Sequence, residues 1–383
     1  MQVSIPASLR EYIKSNGGMI LRKITAFIGS LGGGGAQGVF LTVMDYYANL
    51  GYEINAVIST MSNDVHSNEL NKSIRITNLD ANSSRDSLPK IIRYIKNSKI
   101  ELAFAFSPEL AVNVIIGRVI SGKKFPIIAR CINTLSYEYS HAEGLFRRYV
   151  TNNLVKIYYH KAEMVVAQAE RMRQDLIDNY HFSANQVVTI NNPLGDKFSK
   201  EIGNIAINKR ENYILYVGRY EKQKGLNMLL SAFSNIQDNI VNLLLIGRGS
   251  QEKELKEVIN QLGLAKRVKI LPFSMNIEEY YKKARLTVMS SYFEGFPNVL
   301  SESIACGTPV VSFDLPSGPS DIVINGENGF LANYLDVDDL THKIDCALEK
   351  DWNYMSIKNT AERFKKDRIL PMYRDLIEKM EIV

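Results

Sequence analysis

Short apolar runs alternate with amphipathic, helix-length segments along the first half of the chain. Strands are predicted at residues 24–28, 54–59, 74–79, 102–106, 125–129 and 164–167. Apolar residues at helical spacing predict helices between these runs, for example at 39–50, 88–97 and 111–120. Such alternation is typical of a parallel sheet that helices cover on both faces. The pattern therefore predicts a doubly wound, Rossmann-like α/β domain.

The alternation stops at a polar stretch, residues 198–212, and then restarts. Strands are predicted at 213–217, 241–246, 268–271, 286–289 and 310–313, with helices at 226–233, 252–262, 277–284 and 299–305. A polar stretch with weak periodicity is typical of a linker. We therefore predict an N-terminal extension (1–22), a first Rossmann-like domain (23–198), a second one (199–365) and a C-terminal helix (366–383).

The composition agrees with two globular domains. The chain has 383 residues, of which 45% are hydrophobic and 23% are charged, as in folded rather than disordered proteins. Its net charge of +5 is too small for the concentrated basic surface of a nonspecific nucleic-acid binder, so no nucleic-acid partner is expected. Cys131, Cys306 and Cys346 are widely spaced, which disfavours a zinc site or a disulfide framework and suits a reducing cytoplasm. No apolar run approaches the roughly 20 residues that span a bilayer, and residues 1–23 do not resemble a signal peptide, so we expect a cytoplasmic protein.

Four glycines, residues 32–35, lie between the first predicted strand and its helix. Without side chains, Gly33, Gly34 and Gly35 would let a ligand approach the backbone and the positive end of the helix. The loop does not match GxGxxG, and the chain has no GxxxxGK followed by Ser or Thr, so dinucleotide and P-loop sites lose their main support. A plain tight turn is the alternative interpretation.

Two cations are expected at the carboxyl edge of the second sheet. Gly218 and Arg219 follow the first predicted strand of that domain, and Lys224 precedes its helix. Open α/β sheets bind ligands at this edge, and a planar guanidinium beside an ammonium suits a diphosphate. The alternative is a pair of solvated surface cations.

Two carboxylates bracket a loop that becomes a helix. Glu294 is expected on the loop and Glu302 about one turn into the helix. Both can point at a polyhydroxyl ligand, because carboxylates accept hydrogen bonds from sugar hydroxyls, while backbone N–H groups between them face its phosphates. The intervening residues include Phe296, Pro297, Asn298 and Val299. Ordinary acidic residues near a helix dipole are the alternative.

Together these segments resemble the retaining GT4 glycosyltransferases of the GT-B fold. Glu294 and Glu302 match the E-x7-E motif of that group, and residues 218–225 match its G-R-x4-K-G segment. The glycine loop falls in the expected first strand–helix turn, and the resemblance extends from Lys23 to the vicinity of Leu370. It implies two Rossmann-like domains that face each other across a cleft, with the C-terminal helix packing back on the first domain.

The resemblance also implies roles for individual residues. Arg219 and Lys224 would hold the donor diphosphate and stabilise its developing charge. Glu294 would contact the donor sugar, and Glu302 would contact the nucleotide ribose. The other donor-binding positions would be Gly33, Gly34, Gly35, Gly218, Phe296, Pro297, Asn298 and Val299. Arg219, Lys224 and Glu294 would be the catalytic residues, and the product would keep the donor's anomeric configuration.

One position departs from the family pattern. Many relatives carry a histidine after the strand that corresponds to residues 125–129, whereas this chain has Arg130 and Asn133 there. A histidine role therefore cannot be transferred. We predict that Arg130 or Asn133 contacts the acceptor or the donor sugar, with a structural role as the alternative.

Residues 317–322 resemble a segment of relatives that build bacterial polysaccharides and lipid-linked oligosaccharides. The implied reaction moves a hexose or N-acetylhexosamine from a nucleotide-sugar, chiefly a UDP-sugar, to a glycan or polyprenyl-linked acceptor in cell-envelope polysaccharide synthesis. A UDP-sugar epimerase on the same fold and a noncatalytic sugar-nucleotide-binding partner are competing hypotheses.

No cofactor and no catalytic metal are expected, because the nucleotide-sugar is a substrate. Asp336 and Asp338 resemble the DxD metal motif of the other main glycosyltransferase fold. They lie just before an apolar-periodic helix, however, so Asp336 is better interpreted as a helix cap.

Basic and aromatic residues are interleaved between positions 137 and 161. Such a face can rest on an anionic membrane while the acceptor's lipid stays in the bilayer, which would place the protein at the inner face of the cytoplasmic membrane. The alternative is a globular helix with core residues on one side and solvated charges on the other.

Overall fold

The computed structural model describes residues 23–32, 34–60, 70–81, 84–142, 144–199, 210–274 and 276–381. The predicted N-terminal extension, Gly33 and most of the predicted linker lie outside these residues. The described chain forms two compact units. One ends at Pro193 and also includes the stretch from Ile369 onward, and the other is Leu194–Arg368.

The first unit is built on a parallel sheet of seven strands. They are β1 (Lys23–Ile28), β2 (Glu53–Ile58), β3 (Arg75–Asn78), β4 (Leu102–Ala105), β5 (Ile127–Cys131), β6 (Met164–Ala167) and β7 (Val187–Thr189). Their order is β3-β2-β1-β4-β5-β6-β7, and Ala26 of β1 lies opposite Ala56 on one side and Phe104 on the other. The order reverses between β1 and β4, where sheets of this kind bind ligands at their carboxyl edge.

Helices cover both faces of this sheet. Strands β4 and β6 accordingly consist entirely of buried apolar residues. The helices are Gly35–Asn49, Ser84–Asn97, Pro108–Ser121, Leu135–Ser140, Asn152–Tyr158 and Glu170–Tyr180, with a π-helix at Phe146–Thr151 and a 3₁₀ turn at Tyr159–Lys161. One buried cluster joins a sheet face to the first of these helices and to the C-terminal helix, Lys366–Glu381. Within it, the Tyr47 hydroxyl donates to the Tyr373 carbonyl at 2.8 Å.

The second unit has a six-stranded parallel sheet. Its strands are β8 (Tyr213–Val217), β9 (Asn242–Ile246), β10 (Val268–Leu271), β11 (Leu286–Met289), β12 (Val310–Phe313) and β13 (Gly329–Ala332). Their order is β10-β9-β8-β11-β12-β13, so the reversal falls between β8 and β11. Its helices are Asp196–Ser199, Leu226–Asn235, Glu252–Gln261, Ile277–Lys283, Asn298–Ala305, Pro319–Ile322, Val337–Glu349 and Tyr354–Thr360. A single buried cluster includes residues from both faces of the sheet.

The structure confirms two Rossmann-like units and corrects several details. The sequence pattern missed β7 and β13, which have three and four residues and, unlike β6 or β11, are only partly buried. The predicted boundary after residue 198 differs from the observed one at Pro193, because Phe198 packs in the core of the second unit. Among the described residues, no helix combines the length and the apolar character needed to cross a membrane.

Candidate active site

A tight loop after β8 carries Lys224. The chain forms a 3₁₀ turn at Lys222–Lys224 and then passes through Gly225, whose φ of 59° is left-handed. A Cβ atom at Gly225 would overlap the carbonyl oxygen of Ser290, so this position needs glycine for both its conformation and its space. The loop therefore holds Lys224 directly against the segment that follows β11.

Lys224 and Glu294 meet at the reversal point of the second sheet. The Lys224 Nζ lies 2.5 Å from Glu294 Oε1, and their side chains are only 18% and 13% exposed. The Ser291 hydroxyl donates to the same carboxylate oxygen at 2.6 Å. Because the pair is largely removed from water, its electrostatic interaction is screened less than that of a surface pair.

Backbone contacts join the same two loops. The Gln223 side-chain amide donates to the Phe293 carbonyl at 2.8 Å, and the Tyr292 N–H donates to the Gln223 carbonyl at 2.8 Å. The Ser290 hydroxyl donates to the Lys224 carbonyl at 3.1 Å. The ion pair therefore sits in a preorganised frame.

Arg219 lies on the same edge but is exposed. Its carbonyl accepts a hydrogen bond from the Tyr216 hydroxyl at 3.1 Å, which fixes the backbone after Gly218. None of the ion pairs among the described residues includes the Arg219 guanidinium. Its side chain is thus available at the edge of the sheet where Lys224 and Glu294 meet.

Sequence reasoning missed Gly247 and Gly249, which follow β9. A Cβ atom at Gly247 would overlap the Gly218 carbonyl, and one at Gly249 would overlap the Tyr220 carbonyl. The Tyr220 N–H also donates to the Arg248 carbonyl at 2.9 Å. These glycines let the two loops run back to back, and their Gly-x-Gly spacing directly after a predicted strand could have revealed them.

Glu302 lies in the helix Asn298–Ala305, and its Oε2 accepts a hydrogen bond from the Tyr281 hydroxyl at 3.2 Å. Burial raises the pKa of Glu302 to about 7, and the Tyr281 hydrogen bond opposes this rise only in part. Burial likewise holds the pKa of Tyr281 well above its usual value. No sequence pattern pointed to Tyr281, because the contact joins two helices.

The residues between the two glutamates have mixed roles. Phe296 is buried, and its ring packs against Phe364 with centroids 5.3 Å apart, so its side chain belongs to the core. Pro297 is also buried and immediately precedes the helix that begins at Asn298, followed by Val299. The Gly318 N–H donates to the Gly295 carbonyl at 3.0 Å. The segment 317–322 thus supports the loop between the glutamates.

In the first unit, the glycine loop opens the helix Gly35–Asn49. Gly34 is its N-cap residue, no side chain caps it, and its first turn holds no acidic residue. Gly34 and Gly35 are both exposed. Exposed N–H groups at the start of a helix are suited to anions, and Gly33 lies outside the described residues.

Arg130 is enclosed rather than open to a ligand. Its side chain is fully buried, donates from Nη2 to Asn192 Oδ1 and lies 5.9 Å from the centre of the Phe106 ring. Within the described part of the chain, its Nε and Nη1 have no hydrogen-bond partner. Complete burial against Asn192 and Phe106 agrees with the structural alternative for Arg130.

Asn133 lies in the loop after β5 and is partly buried. Its carbonyl accepts a hydrogen bond from the Cys131 thiol at 3.0 Å, and its side chain hydrogen-bonds Glu138. Arg130 and Asn133 thus both form hydrogen bonds within the first unit.

The described residues contain no group of three or more His, Cys, Asp or Glu side chains arranged to hold a metal ion. Asp336 caps the helix Val337–Glu349 as predicted, because its carboxylate accepts from the Asp339 N–H at 2.9 Å. Of the predicted site residues, Arg219, Lys224, Glu294 and Glu302 all lie in the second unit.

Comparisons with known proteins agree with the division of the chain between Pro193 and Leu194. Residues 33–195 match the model of Glycosyltransferase Family 4, and residues 197–367 match that of Glycosyl transferases group 1. The chain is 28% identical to a Campylobacter jejuni N-acetylgalactosamine-N,N'-diacetylbacillosaminyl-diphospho-undecaprenol 4-alpha-N-acetylgalactosaminyltransferase, over 89% of this chain and 94% of that protein. The chain is a GT4-like glycosyltransferase. This glycosyltransferase is also 25% identical to an amylovoran biosynthesis glycosyltransferase of Erwinia amylovora, over 75% of this chain and 80% of that protein.

Solved structures show that the glycosyltransferase has the GT-B fold. The lipopolysaccharide outer core galactosyltransferase WaaB superposes with a TM-score of 0.75 at 19% identity, covering 93% of this chain and 99% of that one. The sucrose-phosphate synthase of Thermosynechococcus elongatus gives a TM-score of 0.77 at 20% identity, covering 94% and 99%. HepE of Anabaena, in complex with UDP-glucose, gives 0.73 at 20% identity, covering 93% and 99%.

Proposed function

We propose that this glycosyltransferase moves a hexose or N-acetylhexosamine from a UDP-sugar to a glycan or polyprenyl-linked acceptor, with retention of anomeric configuration, in cell-envelope polysaccharide synthesis. The observation that supports this most is the ion pair of Lys224 and Glu294 at the reversal point of the second sheet. A largely buried cation beside a largely buried carboxylate offers one partner for a phosphate and one for sugar hydroxyls.

The donor diphosphate would lie between Arg219 and Lys224. Arg219 is exposed and offers a planar fork, whereas Lys224 is largely buried and offers a fixed point charge. Glu294 would accept hydrogen bonds from the donor sugar, with Ser291 holding its carboxylate. Glu302 would accept from the ribose hydroxyls, which deprotonation of its carboxyl favours.

In the proposed reaction, the acceptor hydroxyl oxygen bonds to the anomeric carbon on the face from which the diphosphate departs. The bond between the anomeric carbon and the diphosphate oxygen breaks, and the leaving diphosphate takes the hydroxyl proton. Arg219 and Lys224 stabilise the negative charge that develops on the leaving group, and the fixed geometry of Lys224 makes this stabilisation efficient. No metal and no cofactor take part in this scheme.

The substrate classes come from similar proteins. The names of the C. jejuni and E. amylovora relatives refer to a diphospho-undecaprenol acceptor and to amylovoran biosynthesis, and the HepE structure contains UDP-glucose. These names support a UDP-sugar donor and a lipid-linked or polysaccharide acceptor for this chain. A polyprenyl-linked acceptor would bring the enzyme into peripheral contact with an anionic membrane at its cytoplasmic face.

The test begins with thermal stabilisation by UDP-, GDP- and ADP-sugars, measured on the native chain and on Arg219→Ala and Glu302→Ala. Lys222→Ala is the matched control, because Lys222 is an exposed cation on the same turn as Lys224. We expect one UDP-sugar series to stabilise the native and control proteins but neither site variant. Transfer of sugar mass to a membrane lipid extract then completes the test.

The competing functions give different results in the same assay. A UDP-sugar epimerase would convert the donor without any acceptor, and a noncatalytic partner would bind the donor without turnover or hydrolysis. Absence of stabilisation by every donor would contradict the proposal.

A further inference from the structure

Large apolar side chains face solvent along one stretch of the first unit. Leu145, Tyr149 and Ile157 are 73%, 58% and 54% exposed. The other exposed apolar residues of this stretch are Phe146, Val150 and Leu154. We call these six residues the 145–157 stripe. A contiguous apolar surface of this kind is typical of an interaction site rather than of scattered surface residues.

The backbone places the residues of the stripe on one face of a continuous helical segment. Residues Phe146–Thr151 form a π-helix that continues directly into the α-helix Asn152–Tyr158. Within the stripe, Phe146, Val150, Leu154 and Ile157 follow one another at steps of four, four and three residues, and such steps return to the same face of a helix. The π-helix is an uncommon local structure that is frequent at functional sites.

Within the segment that carries the stripe, basic residues predominate, although Glu138 and Glu109 of neighbouring segments lie close to Arg147. Residues 144–161 contain four Lys or Arg residues and no Asp or Glu. Two of these cations form an ion pair or a hydrogen bond with other groups of the protein. Arg147 pairs with Glu138 at 2.5 Å, and the Arg148 Nε donates to the Ser140 carbonyl at 2.9 Å.

The other two cations lie over aromatic rings. Lys156 is 5.9 Å from the centre of the Tyr180 ring, and Lys161 is 4.8 Å from that of Tyr158. The four cations therefore contact protein groups, although Arg147, Arg148 and Lys161 remain exposed, and the apolar face of the segment points outward.

A second exposed apolar group lies beside the end of the stripe. Val119 and Ile120, 66% and 55% exposed, end the helix Pro108–Ser121. The Arg118 Nη2 donates to the Lys161 carbonyl at 3.0 Å, which joins this helix end to residue 161. The exposed Lys123 and Lys124 follow immediately. Apolar residues rimmed by cations thus continue across two helices.

We propose that the 145–157 stripe, together with Val119 and Ile120, inserts into the interfacial layer of an anionic lipid bilayer. The excess of basic residues, with Arg147, Arg148, Lys161, Lys123 and Lys124 all exposed, complements anionic headgroups, and the aromatic and aliphatic side chains suit the boundary between headgroups and acyl chains. A surface that paired with a second copy of itself would bring these like charges together, which disfavours that occupant. The inference deepens the proposed function, because it names the surface that meets the membrane holding a polyprenyl-linked acceptor.

The test uses flotation with phosphatidylcholine vesicles, with and without phosphatidylglycerol. The variant is Leu145→Asp combined with Ile157→Asp, and the matched control is Ile240→Asp, because Ile240 is 79% exposed in the second unit. We expect the native chain and the control to float with the anionic vesicles. The double variant should lose vesicle affinity by about tenfold or more, because two apolar anchors become charged. Unchanged melting temperatures verify that all three proteins are folded.

Equal flotation of the double variant and the native chain would overturn the inference. So would native binding that does not depend on phosphatidylglycerol, or a lipid-free dimer that the double variant dissociates. Transfer to a water-soluble acceptor with a truncated lipid is measured in parallel and should persist in the double variant. Failure of transfer in every protein would contradict the proposed function. The flotation result tests the docking surface independently of transfer.

Discussion

The carboxyl edges of the two sheets hold their central charges in opposite ways. In the second unit, the Lys224 Nζ lies 2.5 Å from Glu294 Oε1, and the Ser291 hydroxyl donates a hydrogen bond to the same oxygen. In the first unit, Arg130 is fully buried against the neutral amide oxygen of Asn192 and the ring of Phe106. One edge therefore offers a compensated pair that a polar ligand can share, and the other encloses a single charge within the fold.

The proposed function gives the two units different roles. In this proposal, polar donor recognition is concentrated in the second unit, where Arg219, Lys224, Glu294 and Glu302 lie on neighbouring segments. The first unit presents backbone at Gly34 and Gly35 and an apolar surface at residues 145–157. The difference can be tested by substitutions that affect one edge and not the other.

The largest effect is expected for Lys224→Ala. The substitution removes the fixed cation of the proposed diphosphate site and leaves Glu294 largely buried without its charged partner. We expect turnover with the best donor to fall by about 10²–10³-fold. Steady-state transfer measured for this variant and for Lys222→Ala checks it. Similar rates for the two variants would mean that Lys224 is an ordinary surface cation.

The second effect concerns the loop that holds Lys224. In Gly225→Ala, the new Cβ would overlap the Ser290 carbonyl, in addition to the strain of a left-handed φ. Gly263→Ala is the matched control, because Gly263 also has a left-handed φ of 70° but no atom within 4 Å of its Cβ position. Thermal unfolding should show a loss of about 3 kcal/mol for Gly225→Ala and about 1 kcal/mol for Gly263→Ala. Equal losses would show that the loop can move away from Ser290.

The third effect is a pH dependence of donor binding. Burial raises the pKa of Glu302 to about 7, and hydrogen bonds from ribose hydroxyls favour the charged form. UDP affinity should therefore increase about tenfold from pH 6 to pH 8, and Glu302→Gln should remove this dependence. Calorimetric titration at both pH values measures it. An identical slope in the two proteins would exclude Glu302 as its source.

Glu302 has the opposite effect on the stability of the ligand-free protein, which should decrease as the pH rises. A carboxyl whose pKa is raised by folding stabilises the protein fully below its unfolded value of about 4.3. This contribution is lost as the pH rises through about 7. The melting temperature of the free native chain should thus decrease between pH 5 and pH 8 more than that of Glu302→Gln.

The smallest effect is expected for Arg130→Met. Arg130 forms no ion pair within the described residues, so its removal leaves no buried carboxylate uncompensated. A methionine of similar length can fill the space beside Phe106, and the main loss is the hydrogen bond to Asn192. The free energy of unfolding should change by no more than about 1 kcal/mol. A loss several times larger would remove the contrast between the two edges.

The sequence predicted most of the architecture because the determining signals are local. Apolar runs gave β6, β8, β10, β11 and β12 with their observed bounds. The motifs around Lys224 and Glu294 are short segments whose positions after β8 and β11 follow from the alternation of strands and helices. Parallel pairing then brings the two segments together at one edge.

The remaining features depend on contacts between distant residues. The Tyr281 hydroxyl reaches Glu302 across two helices, and the side chain of Arg130 turns inward to Asn192. Neither orientation can be deduced from spacing along the chain. The same holds for residues 137–161, where the sequence suggested a basic, aromatic face. The structure adds contacts of Arg147, Arg148 and Lys161 with protein groups and a row of exposed apolar side chains.

Donor binding by the second unit is tested most directly by hydrogen exchange of the full chain with and without UDP, followed by mass spectrometry. If the second unit holds the donor, exchange should slow in the backbone of residues 218–225 and 294–302, and this protection should disappear in Lys224→Ala. Protection confined to residues before 193, with none in these two segments, would contradict the account.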